Sequence, residues 1–210
     1  MTQVILVRHG ETAWNVQKVF RGRIDIELNE TGMRQAERLA QYLSKIKIDA
    51  IYSSALKRAL TTAEIVASYH KLDVVVTPGL IDFDFGEWQG LPHQEVRDRY
   101  KELYTQWTNH PDRVRMPAGE SLDEVRKRAI SVIDRVIAKY EGSVVLASHR
   151  VVNKVLICAL LGLDNSHFWN IEQGTCGMTI FTYENERFIL TRHNDTSYLK
   201  PVSETSPSDF

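Results

Sequence analysis

The chain has 210 residues, 43% of them apolar and 25% charged, with a net charge of −1 at neutral pH. That length and balance suit one well-buried α/β domain with a small insertion, and so weak a net charge supplies no field for nucleic acid or a membrane surface. No apolar leader and no run of membrane-crossing length is read, and Cys158 and Cys176 lie among apolar neighbours without metal-ligand spacing, so a soluble, cytoplasmic protein with reduced core thiols is expected.

Taken in order, Val4 to Val7 form an apolar run that predicts a buried strand ending at Arg8. His9 and Arg8 then stand at the carboxyl end of that strand, where open α/β sheets bind ligands, and Gly10 is expected to turn the chain through positive φ. A histidine beside a cation there can hold an anion or attack phosphorus. Most single histidines are structural, so the pair needs support from the rest of the chain. Residues 10 to 30 read as a loop long enough to wall a site. A helix is predicted over 31–45 with Thr31 as N-cap, as packing alone.

A second strand over 49–54 leads into a helix whose first turn holds Arg58, which can reach the same anion from the next strand end. Val74 to Val76 read as a third strand. The stretch 92–120 loses sheet alternation and reads as a mostly helical insertion, with His93 and His110 placed at the surface and Arg113 and Arg115 open to either solvent or an anion. A long helix runs from Leu122 to Tyr140. Residues 143–148 form a buried strand that delivers His149 as the first strand delivers His9. A helix ending at Gly162 follows, then a packing turn at 165–169. Strands over 176–183 and 187–193 form a hairpin, with Thr175 near the site. The tail 200–210 reads as loose.

Several of these stretches together resemble the histidine phosphatase superfamily, which includes the cofactor-dependent phosphoglycerate mutases. They are RHGETAWN from Arg8, SSALKRALTTA from Ser53, IDFDFGEWQG from Ile81, PAGES from Pro117 and the strand into His149. The resemblance spans about 4–199. It implies a three-layer α/β/α sandwich over 1–199, with a mostly parallel sheet and a helical cap inserted at about 92–120. It also implies that Asn15 helps frame a phosphate site, beside Gly22. Asp82 matches the family's general-acid glutamate but is one methylene shorter, with Asp84 and Glu87 as rivals. Arg21 and Arg150 stand where the family commonly has glutamine and glycine, and both add cations that suit a second anionic group on the substrate.

The resemblance implies phosphoryl transfer to a neutral His9, with Arg8, Arg58 and His149 stabilising the charge and Asp82 passing a proton to the departing alcohol and then activating water. No cofactor and no metal is expected, since His, Cys and carboxylates do not cluster at ligand spacing. The partner is a small phosphate monoester, with phosphoserine, ribazole phosphate and sugar-phosphoglycerates as classes used by similar proteins; a homodimer stays open. The compact chain and the wording around Asp82 favour a metal-independent phosphomonoesterase over a mutase. A phosphate-binding protein without turnover is a further alternative.

Overall fold

The computed structural model describes residues 1–199, and the tail read as loose lies outside the described residues. Strands β1 (Thr2–Arg8), β2 (Ala50–Ser53), β3 (Val74–Val76), β4 (Ser143–Ser148), β5 (Met178–Glu184) and β6 (Arg187–Asp195) form one sheet in the order β3-β2-β4-β1-β5-β6. The first four are parallel and the last two antiparallel, which gives the mostly parallel α/β sheet read from the sequence. Among the described residues no helix is long and apolar enough to cross a membrane.

The middles of the central strands, Val4 to Val7 and Val144 to Ala147, are apolar at every position because both faces are covered. Val4, Leu6, Val144 and Leu146 point into one core layer with helices α6 (Leu122–Lys139) and α7 (Arg150–Leu160). Ile5, Val7, Val145 and Ala147 point into the other, with α2 (Glu30–Leu43) and α3 (Lys57–His70). Between these elements lie a short helix α1 (Ala13–Val16) and, within 92–120, α4 (His93–Arg99), α5 (Lys101–Asn109) and the turn Pro111–Arg113. Element numbers here follow chain order.

Some local expectations change. The 10–30 stretch is not all loop, since α1 closes on Thr12. The second helix is capped by Asn29, whose side chain accepts from Gly32 N–H at 2.8 Å, and not by Thr31. Asn29 wins because its side chain also reaches Glu11 at 2.8 Å. The hairpin begins two residues later than expected, because Cys176 sits at φ 49° in the turn before β5. Gly10 does not adopt positive φ. It is glycine for a different reason: a Cβ there would lie 2.5 Å from the Gly32 carbonyl, and one at Gly32 would run into Glu11. The segment leaving β1 therefore crosses α2 backbone to backbone, which holds the residues after Arg8 against the helix. Gly32→Ala is expected to cost about 1–3 kcal/mol of stability through this overpacking, measured by urea unfolding; an unchanged midpoint contradicts the close crossing.

Candidate active site

Parallel pairing places Arg8 opposite Ser148, so the next residue on each strand, His9 and His149, stand side by side with ring centres 5.3 Å apart. His9 N–H donates to the Ser148 carbonyl at 3.0 Å, and its own carbonyl accepts from Cys176 N–H at 3.2 Å. The histidine backbone is thus held from both neighbouring segments. The ring is held as well: Nδ1 lies 2.6 Å from the Gly10 carbonyl. A carbonyl only accepts, so Nδ1 carries the proton and Nε2 keeps a lone pair. Nε2 is buried with no hydrogen-bond partner in the protein.

Three cations surround that nitrogen's ring. Arg58 is fully buried and donates to the Ile24 carbonyl at 2.9 Å, the Gly22 carbonyl at 2.7 Å and Asp82 Oδ2 at 2.9 Å. Arg8 donates to the Gln173 carbonyl at 2.7 Å. Arg21 has no carboxylate within ion-pair distance among the described residues. The Nε atoms of Arg8, Arg21 and Arg58 and both ring nitrogens of His149 are buried without protein partners. So many unpartnered nitrogens at one place, all but one of them N–H donors when His149 is neutral, are unusual in a folded protein, and an anion with several oxygens is what satisfies the donors.

Burial, then the charge of Arg58, pushes His9 well below its ordinary value; His149, Arg8 and Arg21 act in the same direction. His149 is lowered too, by burial and then by Arg58. Arg8 is brought down to about 9, first by burial and then by Arg21 and Arg150. Both imidazoles are therefore neutral at physiological pH.

Asp82 lies six residues beyond β3, on a segment fixed from two sides. Arg128 of α6 donates to the carbonyls of Gly79, Ile81 and Asp82, and Ser148 Oγ donates to that of Leu80. In the sequence Arg128 looks like an ordinary charged helix residue, and nothing local marks this role. Asp82 Oδ1 accepts from Phe83 N–H at 2.8 Å, and Oδ2 is 3.4 Å from His149 Nδ1. Asp84 instead accepts from Gly86 N–H and sits 3.4 Å from Arg23, while Glu87 accepts from Tyr100. Neither rival lines the cavity.

That cavity, about 330 Å³, opens beside Asp82 and is of metabolite size. Arg21, Gly22 and Arg150 line it, as do His93, Trp107, Phe168 and Trp169. His93 is thus not a surface residue; it packs on Phe20 at 4.2 Å because the Val19–Pro92 bridge folds the start of α4 over the loop. Phe168 and Trp169 were read as packing, and no signal marked them as cavity wall. Arg113 and Arg115 do not reach the cavity, being paired with Asp112 and Glu124. Asn15 does not line it either: its Oδ1 accepts from Thr12 N–H and hydroxyl at 2.9 Å, closing the loop. Thr175 stays outside the lining, and Glu120 pairs with Arg23 and Arg128 below Asp82.

Behind the wall, Lys154 is 1% exposed, with Nζ 4.3 Å and 4.4 Å from the ring centres of Phe168 and Trp169. Burial, then Arg150, brings it down to about 7. Its signal was the lysine itself, on a helix apolar nearly all round. Among the described residues no three His, Cys, Asp or Glu side chains come together as a metal-ligand group.

The neutral, buried histidines tie stability to pH. Below about pH 6.5 the unfolded chain takes up protons at both, while the folded chain does not, so stability falls with pH until the lowered folded values are reached. His149→Asn is expected to flatten this fall by up to one proton, about 1.4 kcal/mol per pH unit, read from unfolding free energies between pH 7 and 5. An unchanged slope contradicts a neutral, buried His149.

The sequence profile of the histidine phosphatase superfamily (branch 1) matches residues 4–196. The chain is 36% identical over 200 residues to phosphoserine phosphatase 1 of Hydrogenobacter thermophilus, covering 95% of each. The solved structure of mycobacterial glucosyl-3-phosphoglycerate phosphatase with VO3 superposes with a TM-score of 0.87 at 28% identity, over 92% of this chain and 99% of that one. A phosphoserine phosphatase mutant of Entamoeba histolytica in complex with phosphoserine gives 0.82 at 31%, over 95% and 100%.

Proposed function

The chain belongs to the histidine phosphatase superfamily and is a phosphoric monoester hydrolase, and from that premise we propose that it hydrolyses a small phosphorylated metabolite through a phosphohistidine on His9, without a metal. The observation that carries this reading is the Gly10 hydrogen bond, which leaves His9 Nε2 with a lone pair among Arg8, Arg58 and His149.

The phosphate oxygens take the free N–H groups of Arg8, Arg21, Arg58 and His149. Nε2 attacks phosphorus, the P–N bond forming as the bond to the alcohol oxygen breaks. Charge that spreads over the equatorial oxygens meets donors already in place, which is the main requirement of phosphoryl transfer. Protonated Asp82 gives its proton to the departing oxygen. Its carboxylate then takes a proton from water as that water attacks phosphorus, breaking P–N and releasing phosphate. The arriving ester competes with the Asp82 carboxylate for Arg58, and Asp82, released from that ion pair, takes up the proton that it passes to the departing oxygen. Arg21 and Arg150 extend the positive surface from the phosphate towards the alcohol, which favours an ester with a second anionic group. Relatives point the same way: one is named for glucosyl-3-phosphoglycerate, and the Entamoeba enzyme has been solved with 3-phosphoglyceric acid.

Phosphate release from a panel of esters in EDTA tests the reading, with mutase product assayed in parallel. Wild type is expected to turn over and His9→Ala to lose at least about 10³-fold; release that needs added metal, or survives without His9, overturns it. Asp82→Asn should lower kcat about 10²-fold on alkyl esters and far less on nitrophenyl phosphate, whose leaving group needs no proton; equal losses on both remove Asp82 as the acid. Arg150→Ala should raise KM about tenfold for 3-phosphoglycerate, the loss of one charge-assisted contact, and leave phenyl phosphate within threefold. An equal effect on both contradicts the second-anion contact.

A further inference from the structure

The cavity beside Asp82 differs in chemistry from the buried cluster of Arg8, His9, Arg58 and His149, none of which is among its lining residues. Rings follow one another around it: His93 on Phe20 at 4.2 Å, Phe20 on Phe85 at 4.9 Å, Phe85 on Trp107 at 6.0 Å and Trp107 on Trp169 at 5.7 Å. Tyr104 completes the lining from α5. Trp169 is 39% exposed, yet it is fixed at three points. Its indole N–H donates to the Trp107 carbonyl at 2.7 Å, Lys154 Nζ lies 4.4 Å from its ring centre, and the Arg150 guanidinium lies 5.7 Å from it. A large apolar ring held in place at a cavity mouth is a contact surface for something that arrives.

The charges are equally one-sided. Arg21 and Arg150 line this space, and among the described residues Asp82 is the only carboxylate that does. Asp82 is already engaged by Arg58 and by Phe83 N–H. His93, lowered to about 4 by burial and then by Arg150, adds no charge to the wall. An ammonium group on the substrate therefore has no free acceptor carboxylate and faces two guanidinium groups, whereas a ring meets rings.

We propose that the alcohol subsite is an aromatic clamp that selects phosphomonoesters carrying a planar ring and rejects those carrying an ammonium group, with Trp169 as its specificity-determining wall. This rests on the reading of the site as a phosphatase. It separates the chain from relatives named for phosphoserine, whose ester bears such an ammonium.

Benzyl, propyl and 2-aminoethyl phosphate test it, since all three leave as primary alcohols and the chemical step is closely matched. For wild type, kcat/KM is expected to be at least about tenfold higher for benzyl than for propyl phosphate, mostly through KM, and at least about tenfold lower for 2-aminoethyl phosphate; that is the size of one good ring contact or one unpaired charge. Trp169→Leu should bring the benzyl-to-propyl ratio within threefold. Binding of benzylphosphonate and propylphosphonate, neither of which can be hydrolysed, is measured alongside by calorimetry. Turnover with equal kcat/KM for the ring and the chain overturns the clamp and leaves the phosphatase reading standing. Tighter binding of benzylphosphonate without turnover of any ester supports the clamp and overturns the phosphatase reading. Equal binding of the two phosphonates overturns the clamp whatever the turnover.

Discussion

A buried guanidinium with no aqueous contact organises this molecule. Removing a cation from water costs several kcal/mol unless its donors are matched, and both terminal nitrogens of Arg58 are matched, by the carbonyls of Gly22 and Ile24 and by Asp82, with Nε left over. Those partners come from the loop after β1 and the segment after β3, while Arg58 itself belongs to α3. One side chain thus sets the relative positions of three segments far apart in the chain. Arg8 repeats the device by binding the Gln173 carbonyl near the hairpin. Desolvation also sets the charge state of the cluster, because burial, and after it the charge of Arg58, keeps His9 and His149 neutral. Stability and reactivity are here two readings of one electrostatic arrangement.

The sheet supplies the other half. A parallel pair ends in step, so two strands in register deliver their next residues as neighbours without any further device. His9 and His149 are such neighbours. The hydrogen bond to Gly10 then selects the tautomer, and the close crossing of Gly10 over Gly32 holds that carbonyl in place. Backbone positions that carry no side chain at all therefore decide which ring nitrogen keeps its lone pair.

What was legible in the chain follows from this physics. Apolar runs mark buried strands, and a polar residue at the end of such a run can only stand at the sheet's edge, so His9, His149 and the first-turn Arg58 were placed by pattern. The parts that were missed depend on tertiary contact. Gly10 reads as a turn glycine, because a close backbone crossing leaves no trace in local sequence. Arg113 and Arg115 look as available as Arg21, and only the fold shows that they have carboxylate partners. His93, Phe168 and Trp169 lie on short, irregular segments where no periodicity separates a packed ring from one that lines a cavity. Lys154 was hidden by habit, since lysine between apolar helix residues is usually taken as solvated.

The division between rigid and variable parts bears on how such a site acquires its substrate. The buried histidines and Arg8 and Arg58 sit on strand ends and the first turn of α3, where pairing and packing fix them. Of the cavity wall, His93 belongs to α4, Tyr104 and Trp107 to α5, and Phe168 and Trp169 to the turn Asn165–Asn170, while Phe20, Phe85 and Arg150 come from elsewhere; the 92–120 insertion and that turn carry most of the rings. These two regions are distant in sequence and meet through the Trp169 to Trp107 hydrogen bond. Changes there alter what alcohol fits without moving His9 or the arginines, so selectivity and chemistry can vary separately on one fold. Lys154 and Arg150 link the two sets: both stand on α7, which starts directly after His149, and both rest against Trp169. The ring wall is thereby anchored to the helix that begins at His149, and a ligand that displaces the indole also disturbs Arg150, a cation that acts on Arg8.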